Sequence, residues 1–157
     1  PNAKMNPPLR TAADVAAIRQ GLADGTLDAI ATDHAPHTAQ EKAVGMVDAP
    51  CGIVGLETAL GLVWTELVKT GVLTPMQAIA KLTSLPARIM GLNKGSLAPG
   101  ADADITIFNP HTQWEVDPNQ FYSKSKNTPF SGRKLSGQIV TTIVNGAIVF
   151  NQGKIVV

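Results

Sequence analysis

The chain has 157 residues, 44% of them hydrophobic and 16% charged, with a formal net charge of +1. So neutral a balance gives no electrostatic case for nucleic acid or an anionic membrane surface, and no apolar run reaches the roughly 20 residues that a membrane span needs. The single cysteine, Cys51, excludes an internal disulfide and fits a reducing compartment, which we expect to be the cytoplasm.

The chain opens Pro1-Asn2-Ala3-Lys4, without Met, and reads as the C-terminal part of something longer. Residues 5–10 cannot be helical, because Pro7 and Pro8 lack amide donors and push their predecessors toward extended geometry. They read as a strand end or loop leading into a helix. Thr11 and Asp14 have capping-box spacing, Val15, Ile18 and Leu22 recur at helical spacing, and Gly25 supplies the stop. Residues 27–32 are mostly apolar and bounded by Gly25 and Pro36, which predicts a buried strand. Asn6 and Asp33 would then both lie at strand-to-helix junctions, with one helix between them. That is a βαβ arrangement, which puts both junctions on one rim of a parallel sheet.

A polar loop over 37–52 follows. The next helix spans 56–69, with an apolar stripe of Leu60, Val63, Trp64, Leu67 and Val68 and a stop at Gly71. Thr74-Pro75-Met76-Gln77 combines a Thr N-cap, Pro at the first helical position and Gln at the third, so another helix starts there. A short helix over 86–90 stops at Gly91. After Gly95 the texture changes to strands. Residues 102–108 alternate as a half-buried strand, while 114–134 are irregular. Residues 138–144 and 147–150 flank Asn145-Gly146, a strong hairpin signal, and Gln152-Gly153 allows a turn into 155–157. The expected organisation is an α/β part over 1–92 and a small β unit over 93–157, the latter with too few strands to close a sandwich.

Chemistry concentrates at Thr32-Asp33-His34-Ala35-Pro36-His37, where a carboxylate and two imidazoles follow the predicted strand. The carboxyl ends of strands in parallel α/β folds are where ligands bind. A strand-end Asp33 suits a metal ligand, a general base or both, and its other reading is a turn or capping aspartate. His37 reads as a ligand-binding group or as a loop histidine bonded to backbone, and His34 as a loop histidine or as a buried group that supports the site from behind. His111, beside Pro110, reads as surface. Asn6 could offer its carboxamide to a polar ligand or simply make an Asn-Pro turn. Pro50-Cys51-Gly52-Ile53-Val54-Gly55 could bring backbone amides close to a ligand, or could be an ordinary loop-to-helix transition. Lys124, Lys126, Arg133 and Lys134 lack interleaved aromatics and read as a solvated basic loop.

Asn6-Pro7-Pro8-Leu9-Arg10, then Asp33 to His37 in their Thr-Asp-His-Ala-Pro-His setting, then Gly52-Ile53-Val54-Gly55-Leu56-Glu57-Thr58 resemble a dihydroorotase of the class I, bacterial type. Gly95-Ser96-Leu97-Ala98-Pro99-Gly100 with Ala101 to Asp104, Asn127 to Gly132 and Val144-Asn145-Gly146 resemble the tail shared by the amidohydrolase superfamily. The resemblance implies the C-terminal part of a (β/α)8 (TIM) metal-dependent hydrolase barrel with part of a small β-sandwich. It implies a zinc-dependent enzyme with two metal ions that interconverts N-carbamoyl-L-aspartate and L-dihydroorotate in pyrimidine biosynthesis. It makes Asp33 a metal ligand that also shuttles the proton from the attacking hydroxide to the leaving amide nitrogen. Asn6 and His37 would hold the substrate, His37 at its carboxylate, and the backbone at Cys51 and Gly52 would complete the pocket. A homodimer, and aspartate transcarbamoylase as a partner, belong to the same expectation.

Two departures stand out. The family usually has phenylalanine where this chain has Cys51. Its His-x-His, carboxylated lysine and further histidine ligands are not in this chain, and three histidines with Asp33 cannot rebuild two zinc shells, so the chain alone is expected to bind zinc weakly and to lack dihydroorotase activity. Competing readings are a dihydroorotase-like subunit that only scaffolds aspartate transcarbamoylase, and a related cyclic amidase such as a hydantoinase or allantoinase.

Overall fold

A computed structural model describes residues 1–156. Helix α1 (Ala12–Asp24) begins at a full capping box in which the Thr11 side chain and Asp14 each satisfy the other's amide, and ends at Gly25 with φ 87°. A left-handed residue is needed there to turn the chain out of the helix, and glycine adopts it without a Cβ clash. A short α2 (Ala39–Lys42) starts at a second capping box, Thr38 with Glu41, inside the segment expected to be loop. The predicted helix over 56–69 divides into α3 (Ala59–Val63) and a π-helical segment (Trp64–Val68), where the Lys69 amide reaches back five residues to the Trp64 carbonyl. Helix α4 (Pro75–Leu82) starts at the Thr74–Gln77 box with Pro75 in its first turn, and α5 (Ser84–Ile89) follows directly.

The β unit is a four-stranded antiparallel meander of β1 (Ile105–Glu115), β2 (Lys134–Val144), β3 (Ala147–Asn151) and β4 (Lys154–Ile155), hydrogen-bonded in that order. The β2–β3 hairpin forms at Asn145-Gly146, both with positive φ, as the primed turns that match strand twist require. β1 runs well past the alternating stretch, because irregularities in its pairing with β2 let it continue through Asn109 and Pro110 to Trp114. A 3-10 turn (Pro118–Gln120) interrupts the otherwise irregular segment that follows. The last predicted strand closes on Val157, which lies outside the described residues.

The expected strand over 27–32 is not a strand, and the βαβ arrangement with its parallel sheet does not form among the described residues. The segment is extended but has no ladder. The Leu27 amide bonds the Gly21 carbonyl in α1, and the Ile30 amide bonds the Lys81 carbonyl in α4. A strand is defined by its neighbours, and helix termini are the neighbours here. The residues around Asn6 likewise lie in bends rather than at a strand end.

Two apolar clusters carry the packing. Leu22, Val63, Leu73 and Ala78 join α1, α3 and α4, with Leu27 and Ile30 packed against them, so the failed strand still supplies core. Val54, Val116, Phe121 and Leu135 join the loop before α3 to the β unit, flanked by Leu62, Trp114 and Phe130. Helix α3 sits tightly on β2. A Cβ on Gly61 would lie 3.0 Å from both Leu135 and Trp114, and the Thr65 hydroxyl accepts from the Ser136 amide at 2.8 Å. Leu135 is 1% exposed whereas Ile139, on the same strand, is 39% exposed. Leu135→Ala should therefore cost about 2–5 kcal/mol of stability and Ile139→Ala less than about 1.5, read from denaturant midpoints of the purified variants.

Candidate active site

Residues 33–37 lie alongside 52–55, and the two segments approach so closely that glycine is required twice. A Cβ on Gly55 would fall 2.0 Å from the Asp33 carbonyl oxygen, and one on Gly52 would fall 2.4 Å from the Ala35 Cβ. Gly52 also has φ 112°, a conformation that side chains resist. The pairing is held by the Ala35 amide on the Ile53 carbonyl at 2.8 Å and by the Gly55 amide on His34 Nδ1 at 3.3 Å. Because Nδ1 accepts, neutral His34 carries its proton on Nε2. This histidine therefore organises backbone.

Asp33 is exposed, with Oδ1 accepting from the His34 amide at 2.7 Å. His37 is partly buried, and its Nε2 lies 3.0 Å from the Cys51 carbonyl. A carbonyl only accepts, so Nε2 is the protonated nitrogen and donates. His37 Nδ1 faces the Glu41 carboxylate at 3.9 Å. Glu41 is held below its ordinary carboxyl range, chiefly by the Thr38 amide and hydroxyl that it caps. The structure thus brings His37, Cys51 and Gly52 together, with Asp33 at the far end of the same paired segment. Asn6 is less directly placed: the Lys4 carbonyl accepts from the Gly52 amide at 2.9 Å, and Asn6 is exposed two residues further on.

Sequence reasoning missed Asn127 as a member of the cluster. This residue is 5% exposed, and its Oδ1 accepts from the His37 amide at 3.1 Å. Its Nδ2 donates to the Ala35 and Gly52 carbonyls at 2.9 and 3.3 Å, and its carbonyl accepts from the Val54 amide at 3.1 Å. The available signal was an Asn beside Thr-Pro in a stretch with no periodicity of its own. The basic run is the expected solvated loop only in part, since Lys134 opens β2 and two of the others are engaged by protein groups. Lys126 donates to the Phe121 and Ser123 carbonyls, Arg133 pairs with Glu66, and Lys124 is exposed. A cleft of about 620 Å³ opens beside His37, lined in part by Thr38, Lys42, Lys124, Lys126 and Asn127. Asp33 is not among its walls.

The donor set decides what metal chemistry this chain can support by itself. Among the described residues no group of three or more His, Cys, Asp or Glu side chains is placed to hold a metal ion. Zinc sites take about four donors, and here one exposed carboxylate is suitably free. The described residues do not by themselves make a metal site.

Residues 5–149 match the sequence profile of the amidohydrolase family. The chain belongs to that family. It is 64% identical over 146 residues to a dihydroorotase of Pelotomaculum thermopropionicum, a match that covers 93% of this chain and 34% of the relative. It is 55% identical over 152 residues to a dihydroorotase of Bacillus thuringiensis (strain Al Hakam), covering 97% of this chain and 36% of the relative. The chain thus spans about a third of the length of the curated relatives it matches. Among solved structures, the L-hydantoinase (dihydropyrimidinase) of Arthrobacter aurescens superposes with TM-score 0.91 at 33% identity, over 98% of this chain and 35% of that one. The dihydropyrimidinase of Brevibacillus agri NCHU1002 gives 0.92 at 25% identity, over 99% and 35%. This amidohydrolase piece therefore has the fold of the corresponding third of a hydantoinase, and a metal cofactor is a property of the family to which it belongs.

Two outcomes follow from the geometry. Gly55→Ala should lose about 3 kcal/mol of stability, since its Cβ meets a backbone oxygen that cannot step aside. Gly71→Ala, with φ 76° and open space around it, should lose only about 1–2 kcal/mol by the same denaturation measurement. In titration calorimetry the 157-residue chain should show no stoichiometric uptake of zinc. One tightly bound equivalent would mean that it supplies more ligands than Asp33.

Proposed function

We propose that this chain is part of a dihydroorotase, with residues 1–92 belonging to its (β/α)8 barrel and 93–157 to its β domain. The whole enzyme would convert N-carbamoyl-L-aspartate and L-dihydroorotate into one another. The observation that carries this reading is the 64% identity to a protein named dihydroorotase, against 33% or less to the hydantoinases whose fold is shared. A hydantoinase-like activity is the second reading, and the structural similarity supports it, at half the identity. The intact Asp33 and His37 argue against a non-catalytic scaffold.

In this reading Asp33 carries the proton. With Oδ1 engaged by the His34 amide, Oδ2 takes the proton of the attacking water and delivers it to the ring nitrogen as the carbon–nitrogen bond breaks. The reverse reaction runs the same transfer backwards. Asn6 and His37 would hold the substrate, His37 meeting its carboxylate from the Nδ1 side, where an imidazolium would offer a second N–H while Nε2–H keeps the Cys51 carbonyl, and the Cys51–Gly52 backbone would form the adjoining wall. Where the family usually has phenylalanine, a backbone wall tolerates Cys51. Zinc would be the metal of the complete enzyme, with Asp33 the one ligand drawn from this chain and the rest drawn from elsewhere. The companion proposals are a cytoplasmic enzyme and a homodimer, or an assembly with aspartate transcarbamoylase.

The test is turnover by the full-length protein on dihydroorotate, hydantoin and allantoin. Dihydroorotate should be the preferred substrate, and Asp33→Asn should lower kcat by about 10²–10⁴ with the fold retained by circular dichroism. Preference for hydantoin, or near-normal turnover by the variant, would overturn the assignment.

A further inference from the structure

The Asn127 carboxamide is spent entirely on the two segments that frame the candidate site. Its oxygen takes the His37 amide, and its two hydrogens go to the Ala35 and Gly52 carbonyls. Only one orientation of the group satisfies one donor and two acceptors, so the partners fix which atom is nitrogen. The residue is 5% exposed; its bond to the Gly52 carbonyl is buried and the other two are part-buried, so losing them would leave polar backbone groups poorly compensated. Its backbone carbonyl adds a fourth bond to the Val54 amide, which ties the clamp to the apolar cluster around Val116 and Leu135.

The consequence concerns His37. The backbone end of this residue is pinned by Asn127 Oδ1, while the ring tip bonds the Cys51 carbonyl, and the next carbonyl, that of Gly52, is pinned by Asn127 Nδ2. Asn127, from a loop some ninety residues away in sequence, thus bears directly on the His37 end of the His37–Cys51 contact and, through the neighbouring Gly52 carbonyl, on the other end, where the Lys4 carbonyl also holds the Gly52 amide. Asp33 has its own support in the Gly55 contact and the His34 amide, and does not touch Asn127.

We infer that Asn127 is a positioning residue, which sets the His37 imidazole for substrate binding while leaving the proton transfer at Asp33 largely alone. This rests on the reading of His37 as a substrate-binding group. Aspartate is the incisive replacement: it is nearly isosteric and keeps the acceptor for His37, but sets an anionic oxygen against two carbonyls. A structural role alone would lower the folded fraction and hence the apparent kcat, whereas positioning raises KM.

The experiment uses the full-length enzyme with dihydroorotate as substrate. Asn127→Asp should raise KM by about tenfold or more, as expected for loss of buried hydrogen bonds, with kcat within about threefold of wild type. In a His37→Ala background the same substitution should change KM by less than about twofold, because the residue through which it acts is gone. Effects on KM that multiply in the double variant, or an unchanged KM in a folded Asn127→Asp protein, would overturn the inference. If Asn127→Asp does not fold, amide exchange in the wild-type protein decides. The His37 amide should exchange at least about 100-fold slower than a free peptide, and exchange at the free rate would remove the clamp. Absence of wild-type turnover on dihydroorotate would sink the proposed activity, and the same exchange measurement would then judge the clamp independently.

Discussion

The approach of residues 33–37 to residues 52–55 is the constraint on which the rest depends. Two backbones can lie that close only where one of them presents no side chain, and Gly52 and Gly55 are the two places where this chain presents none. The contact leaves the amides and carbonyls of both segments facing inward, where they must be paired or pay the cost of desolvation. The Ala35–Ile53 bond pairs some of them, and the His34 ring and the Asn127 carboxamide pair most of the others. Exposed chemistry at Asp33 thus stands on a largely hydrogen-bonded base.

That base is continuous with the β unit. Val54 lies between the two site glycines and is 2% exposed, packed with Val116, Phe121 and Leu135. Glu57, just beyond, receives the amides of Tyr122 and Ser123 at 2.8 and 3.0 Å. The β unit, which carries none of the proposed catalytic groups, therefore bears on the site through one apolar cluster, the two hydrogen bonds to Glu57 and the Asn127 bonds, the last two sets from the segment between β1 and β2. Interactions of this kind hold a loop in place because several weak restraints converge on few residues, and no single one of them is large.

Features written in local chemistry were legible from the sequence. Capping boxes at Thr11 and Thr74, the stop at Gly25 and the Asn145-Gly146 hairpin depend on residues within a few positions of one another, and all are present. Non-local features were not. The apolar run at 27–32 has a strand's composition, yet its amides find the end of α1 and the end of α4, so it has no ladder. In the site, the motifs at 32–37 and 50–55 were visible because Asp, His and Gly cluster there. Asn127 was not, because its role depends on four partners 73 to 92 positions away, and no spacing rule reaches that far. The continuous apolar stripe over 56–69 likewise gave no hint that the helix would widen after Val63.

That widening has its own consequence. A π turn accommodates one residue more than an α turn over the same rise, so Trp64–Val68 behaves as a helix carrying a tolerated insertion. The residues displaced by it are those that reach across: Thr65 to the Ser136 amide, Glu66 to both Arg19 and Arg133, and Lys69 to the Ser136 hydroxyl. Deleting one residue would restore regular α geometry and better helical hydrogen bonds, but would swing everything after the deletion by about 100° around the axis. The irregular turn is therefore best understood as a phase adjustment. It trades local regularity for a helix whose two ends address different neighbours, and any descendant that lost the extra residue would have to rebuild the contacts of Glu66 on both sides at once.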